Sequence, residues 1–443
     1  MKFSLFVFIL LVSFRIGAQP MPAAAKYAAT IEAATIKKHV YALASDAFEG
    51  RETGTEGNKK ASDYIAEQFL SYQIPFVPGD DNYFQEVSFT TFKWTSMQLL
   101  VKDKPTEHLK DFLSVPQYFP AVEKPIQISS LAFLGYGIDD PAYSDYAGKN
   151  VVGKHLLVYG GEPRDSKGKS RITKTDSISL WAMDFNMKIM AAKKAGAASV
   201  WIIDDQLRDH VMNARKYFLS GATQMTSPDD IEELFVPHAL ISPKLAEEII
   251  GKKRGKIIKL RNKITSNGIS KTTNIPVDIE LTPVQQVQST PGRNVLAFIE
   301  GSDPILKNEV VVVSAHYDHL GKRGKDIYFG ADDNASGTSA VLEIAQAMAI
   351  AKSNNEGPRR SVLCLLVTGE EKGLLGSQYY SEHPVFPLSE TVADINIDMI
   401  GRTDATHDNS NYTYVIGADR LSSELHQINE YVNKQYTKLD LDY

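Results

Sequence analysis

The second half of the chain alternates short apolar runs with amphipathic helical segments, and this alternation restricts the fold more than any other feature. Val310 to Val313 is apolar at every position, which is typical of a strand buried between two helix layers. Further strands are predicted from Asn294 to Glu300, Ser361 to Thr368 and Val392 to Asp398, with a helix from Ser336 to Lys352. The pattern predicts a three-layer α/β/α sandwich with a mixed, mostly parallel sheet.

Acidic residues and a histidine follow these strands at their carboxyl ends, where open α/β sheets bind ligands. His316 follows one strand, and Asp398 closes another. Glu370 and Glu371 follow a third strand, and Asp332 lies in a glycine-bounded loop that leads into a helix. Imidazole nitrogen and carboxylate oxygen are ligands for zinc and similar divalent metals. The ordered set therefore predicts a metal-dependent hydrolytic site.

Each metal-site residue has an expected role. His316 supplies a nitrogen ligand, and Asp318 is predicted to hold its other ring nitrogen. Asp332 has two oxygens with which to bridge two ions. The remaining ligands are predicted to be Glu371 and Asp398.

Glu370 is adjacent to a predicted ligand but on the opposite side of an extended chain, which suits a general base acting on a metal-bound water. Each residue also has a simpler interpretation by itself: Glu370 and Glu371 would favour a helix start, and Asp332 a turn or N-cap. Asp398 has apolar neighbours, and an unpaired carboxylate is costly to bury there. Together the residues favour the metal site. Three histidines without such support are expected to be structural or exposed: His319, His383 and His407.

The N-terminus is typical of a secretory signal. A positive start at Lys2 precedes an apolar run from Phe3 to Phe14, and cleavage is expected near Ala18 or Gln19. No later segment is long and apolar enough to predict a membrane anchor, so a secreted or periplasmic protein is expected. The formal charge of −6 and the lack of a basic stripe argue against a nucleic-acid partner. The single cysteine, Cys364, lies in an apolar run and is expected to be buried and inert.

The predicted organisation is a discontinuous catalytic unit interrupted by a small α/β domain. The catalytic unit comprises residues 19–124 and 266–443, and the inserted domain comprises residues 125–265. Strand-like runs in the insert surround a helical stretch that ends near Ala197, and polar linkers border it. None of its acids or histidines has a spacing typical of metal ligands, so no chemistry is expected there.

The strings around the candidate ligands closely resemble the co-catalytic zinc aminopeptidases, a family that includes bacterial leucyl aminopeptidases, glutamate carboxypeptidase and the transferrin receptor ectodomain. The matching strings are Ser314 to Gly321, Gly330 to Gly337, Thr368 to Ser377, and Asn396 to Met399. The segment Glu49 to Gly54 is similar to the N-terminal entry of the family. Residues 125–265 resemble the protease-associated domain that many members carry.

The resemblance implies two zinc ions. Glu370 would be the general base, and Asp318 would orient His316. A cis peptide bond is implied between Asp332 and Asp333. The implied ligands are His316 and Asp398 for one ion, Glu371 for the other, and Asp332 bridging both.

The chain departs from the family pattern after Asp398. In the family, the second zinc also takes a histidine from a later strand end, but only His407 and His426 follow here, and neither has that context. Asp332 and Glu371 alone would leave this ion two protein ligands, whereas catalytic zinc ordinarily has three. We therefore expect the chain to be C-terminally incomplete, to bind one metal well and the other weakly, and to expose apolar surface.

The expected function is that of a zinc-dependent exopeptidase, and the leading interpretation is an aminopeptidase that removes N-terminal residues from peptides. A carboxypeptidase or dipeptidase of the same family is an alternative, and so is a non-catalytic, receptor-like ectodomain. Side-chain specificity, oligomeric state and the metal used in the cell are left open by the sequence.

Overall fold

The structure, a computed structural model, describes residues 23–119, 124–225 and 236–443. The predicted signal segment, residues 1–18, lies outside the described residues. Within the described ranges, the helices all fall short of the length and apolar character that crossing a bilayer requires.

The regular elements alternate along most of the chain. The α-helices are α1 (Ala23–Ala28), α2 (Ala33–Leu43), α3 (Glu56–Ser71), α4 (Leu180–Met183), α5 (Phe185–Lys194), α6 (Leu207–Ser220), α7 (Pro243–Ile250), α8 (Arg254–Asn267), α9 (Gly337–Ser353), α10 (Leu375–Glu382), α11 (Ala418–Leu421) and α12 (Ser423–Val432). The strands are β1 (Phe84–Val101), β2 (Lys104–Pro105), β3 (Phe112–Leu113), β4 (Ile126–Phe133), β5 (Asp139–Asp140), β6 (Tyr143–Ser144), β7 (His155–Tyr159), β8 (Ser199–Ile203), β9 (Ala222–Gln224), β10 (His238–Ile241), β11 (Thr273–Ile299), β12 (Val310–His316), β13 (Gly321–Arg323), β14 (Asp326–Tyr328), β15 (Ser361–Val367), β16 (Thr391–Asn396), β17 (Tyr412–Tyr414) and β18 (Asp440–Asp442).

The chain divides into two compact units. The first contains residues up to Val87 and from Gly292 onward, and the second runs from Ser88 to Pro291. The second unit is larger than the insert predicted from residue 125 to 265. The difference arises because the long strands β1 and β11 contribute residues to it: β1 pairs with β9, and β11 pairs with β4. The polar linkers used as boundaries in the sequence lie inside this unit.

In the first unit, β12 runs parallel to both β15 and β16, whereas the C-terminal part of β11 is antiparallel to β15. The predicted mixed, mostly parallel sheet is confirmed. Every residue of β15 is buried, as expected of a strand covered on both faces. In contrast, most of β16 is exposed, including the apolar side chains of Val392 and Ile395.

Helices cover both faces of this sheet. Alternate residues of β11 point to opposite sides: Val295 and Ala297 pack into one core, and Leu296 and Phe298 into another. The first core includes buried residues of α2, α3 and α9, and the second includes Tyr380 of α10. Helix α3 begins after Thr55, whose hydroxyl accepts a hydrogen bond from the backbone N–H of Asn58. The predicted three-layer α/β/α arrangement is therefore confirmed.

The second unit is also α/β. Strands β4, β7, β8 and β10 are parallel neighbours, and β3 joins β10 in the antiparallel direction. One face packs against α7 and α8, and the other against α5. The two groups of side chains with metal-ligand geometry found in the described part of the chain both lie in the first unit. The resemblance of the insert to a protease-associated domain stays a prediction.

Candidate metal centre

The candidate site lies at the carboxyl edge of the parallel strands in the first unit. Strand β12 ends at His316, while Glu371 follows β15 and Asp398 follows β16. Because these strands are parallel and adjacent, their ends lie at one edge of the sheet. The loop before α9 brings Asp333 to the same edge.

One ligand group is formed by His316, Asp333 and Asp398. The Nε2 atom of His316 lies 3.1 Å from Asp333 Oδ1 and 3.4 Å from Asp398 Oδ1. The His316 side chain is only 3% exposed, so its position is fixed by packing. Three ligand atoms at this spacing, one nitrogen and two anionic oxygens, suit a zinc ion.

A second group is formed by His319, Asp333 and Glu371. The Nδ1 atom of His319 lies 2.8 Å from Glu371 Oε1 and 3.8 Å from Asp333 Oδ2. Asp333 thus offers one oxygen to each group, which is the geometry of a carboxylate that bridges two ions.

Several polar atoms of these groups are buried and have no hydrogen-bond partner. They are His316 Nε2, His319 Nδ1 and Glu371 Oε1. His319 Nδ1 and Glu371 Oε1 lie 2.8 Å apart, but they are not aligned for a hydrogen bond. A buried polar atom without a partner costs about 1–3 kcal/mol, and native proteins rarely leave one without a reason. Cations bound at the two groups would satisfy all three atoms, so the donor set fits zinc.

Asp333, and not the predicted Asp332, is directed into the ligand groups. Asp332 Oδ1 accepts a hydrogen bond of 2.7 Å from the backbone N–H of Gly401, and its carbonyl accepts one from Ser336 Oγ. The cis peptide bond joins Asp333 and Asn334, whereas the resemblance placed it one residue earlier. Adjacent side chains in a loop point in different directions, and the backbone path decides which one faces the metal.

Gly330 makes this loop path possible. Its φ is +55°, a left-handed conformation that favours glycine. A Cβ atom at this position would lie 2.2 Å from the carbonyl oxygen of Asp333 and 2.5 Å from the ring of His319. Any side chain here would therefore displace residues of the second ligand group.

Asp318 lies beside both His316 and the segment of Glu370 and Glu371. Its carboxylate was expected to hold the second ring nitrogen of His316, but His316 Nδ1 is closer to the Asp318 carbonyl oxygen, at 3.2 Å, than to its carboxylate, at 3.7 Å. The carboxylate instead accepts hydrogen bonds from the backbone N–H groups of Glu370 and Glu371 and from the hydroxyl of Thr53. The buried carboxylate therefore fixes the segment that carries the predicted base and ligand.

Glu370 faces the first ligand group, with Oε2 3.9 Å from His316 Nε2. Burial raises the pKa of Glu370, and the neighbouring carboxylates raise it further, although His316 opposes them. Burial lowers the pKa of His316, but the surrounding carboxylates, chiefly those of Asp318 and Asp333, outweigh it and raise the pKa to about 12. The edge of the sheet is therefore strongly attractive to cations.

Besides Asp333, His319 is a residue of the ligand groups that the sequence did not predict. It was expected to be structural or exposed, yet it is buried and belongs to the second ligand group. The signal available in the sequence was a second imidazole three positions after His316, in the same strand-end string. The other histidines have other partners: His383 stacks on Tyr379, His407 on Tyr412, and His426 contacts Tyr443.

A cavity of about 680 Å³ lies beside the second ligand group. His319, Asp332 and Asp333 line one part of it. Much of the remaining lining is apolar and comes from Ile36, Val40, Tyr328, Phe329, Met399 and Ile400. The cavity can therefore accept an apolar group next to the ligand atoms.

Comparison with known proteins identifies this segment. Residues 294–441 match the model of peptidase family M28. This part of the chain is therefore similar to family M28. The M28 segment contains all of the candidate metal ligands, and the resemblance to co-catalytic zinc aminopeptidases is confirmed at the level of the family.

Relatives of the M28 segment include proteins named as aminopeptidases. Aminopeptidase YwaD of Bacillus subtilis is 35% identical over 94 residues, which cover 21% of this chain and 18% of that protein. Leucine aminopeptidase 2 of Trichophyton equinum is 32% identical over 126 residues, or 28% of this chain and 23% of that protein. The matched region thus spans about a fifth of each relative.

The fold extends beyond the M28 segment. The structure of the aminopeptidase from Aneurinibacillus sp. strain AM-1 superposes with a TM-score of 0.51 at 19% identity, and the match covers 89% of this chain and 76% of that one. At this identity the match shows that the two chains share a fold.

Proposed function

We propose that the protein is a zinc-dependent exopeptidase, and specifically an aminopeptidase, that hydrolyses peptides at the metal centre. The observation that carries the proposal is the position of Asp333. Its two oxygens face two separate groups of imidazole and carboxylate ligands, with Glu370 beside them. This arrangement provides shared metal ligation and a free carboxylate in one place, which two-metal hydrolysis requires.

His316, Asp333 and Asp398 would hold one zinc ion. Asp333, Glu371 and His319 would hold the other. The sequence led us to expect only two protein ligands for the second ion, and His319 provides a third. Zinc at these positions would supply a Lewis acid for the peptide carbonyl and would lower the pKa of water towards neutrality.

Glu370 supplies the proton transfer. Its carboxylate is half-buried, carries no hydrogen bond from another side chain in the described structure, and has a raised pKa. A carboxylate in this state accepts a proton from the attacking water and returns it to the leaving amine. The backbone hydrogen bond from Glu370 N–H to Asp318 Oδ1, 3.1 Å long, keeps the residue at the site.

An aminopeptidase is the best-supported member of this reaction class. Both YwaD and leucine aminopeptidase 2 carry that activity in their names. The apolar lining of the cavity beside His319 suits an uncharged side chain of the substrate. The ligand set is complete enough for metal binding, which favours an enzyme over a non-catalytic ectodomain.

The role of Glu370 is tested with Glu370→Gln. Glu382→Gln serves as a control on nearby helix α10, where the Glu382 carboxylate accepts a hydrogen bond from Gln378. Turnover of Glu370→Gln should fall by about 10²–10⁴-fold, the usual contribution of a general base. Its zinc content should equal that of the wild type and of the control. Wild-type turnover in Glu370→Gln would contradict the mechanism.

The direction of attack is tested with a panel of aminoacyl nitroanilides and N-blocked peptides. An aminopeptidase should cleave the former and leave the latter intact. Cleavage of blocked peptides alone would assign the protein to the carboxypeptidase class. Zinc binding without hydrolysis of either set would support a receptor-like ectodomain.

We also propose that the protein is exported. The support is the sequence of residues 1–18, which resembles a secretory signal. Protein recovered from the periplasm or medium of an expressing cell should begin near Gln19, as N-terminal sequencing would show. An intact Met1 in cytosolic protein would contradict export.

A further inference from the structure

Arg51 is a fully buried arginine next to the metal centre. It lies between α2 and α3, is 0% exposed, and has a φ of +54°. Arginine is almost never fully buried without partners, and a non-glycine residue in the left-handed region costs about 1–3 kcal/mol unless the surroundings enforce it. A residue held in such a position needs a structural reason.

The guanidinium of Arg51 donates to four backbone carbonyls. Nε donates to Tyr317 O at 2.7 Å, and Nη2 donates to Gly330 O at 2.9 Å. Nη1 donates to both Leu43 O at 2.6 Å and Phe329 O at 2.8 Å. The planar fork of five N–H donors makes this possible, and lysine has no equivalent geometry.

Three of these carbonyls, those of Tyr317, Phe329 and Gly330, belong to the segments that carry the nitrogen and bridging ligands. Tyr317 lies directly after His316, and Gly330 begins the loop that contains Asp333. The carbonyl of Arg51 itself accepts a hydrogen bond of 3.2 Å from the backbone N–H of His319. Arg51 thus contacts the backbone of the segments that carry His316, His319 and Asp333.

The charge of Arg51 also acts on the site. Burial lowers its pKa to about 10, against the attraction of Asp318, Asp333 and Glu371. The guanidinium is therefore a cation that compensates repulsion among these carboxylates. Because its hydrogen bonds in the described structure go to carbonyls, the carboxylate oxygens stay free for a metal.

We propose that Arg51 is the positioning residue of the metal centre: it fixes the segments of His316 and Asp333 at one separation and offsets their negative surroundings. The inference rests on the proposed zinc-binding function. It adds a residue outside the M28 segment to the machinery of the site. It predicts that Arg51 controls zinc affinity and coordination geometry in protein that is already folded.

The test compares Arg51→Lys and Arg51→Gln with the control Arg293→Gln. Arg293 is in the same unit, and its side chain donates to Ser62 Oγ, Lys59 O and Asp63 Oδ1, all on helix α3. Zinc affinity is measured by competition with a chromophoric chelator. Coordination geometry is measured by the visible absorption of the cobalt-substituted protein, and stability by denaturation in EDTA.

Arg51→Lys should bind zinc about 10–100-fold more weakly, the range for residues that hold metal ligands in place, and its cobalt spectrum should change. Arg51→Gln should bind more weakly still, because it also loses the charge. Arg293→Gln should lose stability in EDTA and keep the wild-type zinc affinity and cobalt spectrum. A wild-type zinc affinity together with a wild-type cobalt spectrum in Arg51→Lys would overturn the inference.

If both Arg51 variants remained unfolded at saturating zinc, Arg51 would be required for the fold as a whole, and the specific role would be rejected. If the variants unfolded only without zinc, the shift of the denaturation midpoint with zinc concentration would give their zinc affinity. A shift equal to that of the wild type would also reject the specific role of Arg51. Failure of wild-type protein to bind zinc would overturn the proposed function itself, so the two failures are distinguishable.

Discussion

Replacing Asp333 by Asn should release zinc from both ligand groups, because this side chain offers one carboxylate oxygen to each. Oδ1 lies 3.1 Å from His316 Nε2, and Oδ2 lies 3.8 Å from His319 Nδ1. Asparagine keeps the shape but has no charge, and it replaces one acceptor oxygen by a donor group. Loss of a residue that only supports a metal ligand costs about 10–100-fold in affinity. Loss of a shared ligand should therefore cost at least about 100-fold per ion, or about 2.7 kcal/mol.

Asp332→Asn is the matched control, since it makes the same chemical change one residue earlier. It weakens the hydrogen bond that Asp332 Oδ1 accepts from the Gly401 N–H, which is 2.7 Å long. That change should lower the free energy of unfolding by about 1–2 kcal/mol. Zinc affinity should stay within about threefold of the wild type, less than 1 kcal/mol.

Zinc titration calorimetry at neutral pH, with chelator competition for the tighter ion, measures both variants. We expect two bound ions for the wild type and for Asp332→Asn, and weak binding at both positions for Asp333→Asn. If Asp332→Asn lost both ions while Asp333→Asn kept them, the assignment of the bridging residue would be reversed.

Three further predictions concern other parts of the chain. His319→Gln should reduce the zinc stoichiometry from about two to about one, because the second ion would keep only two of its three protein ligands, Glu371 and Asp333. Two tightly bound ions in this variant would exclude His319 as a ligand. Burial lowers the pKa of His238 to about 4, so in the window from about pH 6.5 down to 4 the unfolded chain takes up a proton that the folded chain refuses. The free energy of unfolding should fall by up to about 3 kcal/mol across that window, as denaturation curves at several pH values would show, and an unchanged slope in His238→Gln would contradict this origin. Burial raises the pKa of the Cys364 thiol to about 12, so a thiol reagent at pH 8 should label the native protein only at the rate of unfolding, and rapid labelling without denaturant would show that the thiol is accessible.

The strand pattern was sufficient to predict the layered fold and the edge at which the site lies. β12 and β15 are apolar at nearly every position, and only a strand covered on both faces satisfies that pattern. Their parallel pairing then brings the residues after each strand together. This is why His316, Glu371 and Asp398 could be placed at one edge from sequence periodicity.

The details that the sequence did not predict all depend on the backbone path in loops. Asp332 and Asp333 have the same chemistry, and only the turn at Gly330 directs the second of them towards His316. His319 follows the end of β12, where no periodic pattern indicates the direction of a side chain. Arg51 lies far away in the sequence, and a single chain contains no local signal for its long-range contacts.

The insertion of a second unit into the chain has a consequence for the order of folding. The hydrogen bond from Arg51 to Tyr317 joins residues 266 positions apart, and the bond from Thr53 to Asp318 joins residues 265 apart. A ribosome adds about 5–20 residues per second, so Tyr317 is synthesised about 13–53 s after Arg51. The unit from Ser88 to Pro291 is complete before Tyr317 is added. We therefore expect this unit to form first, at a stage when only one of the carbonyl partners of Arg51, that of Leu43, has been synthesised. The metal site thus forms after the second unit is complete, and zinc has no organised binding site until the two parts of the first unit have met.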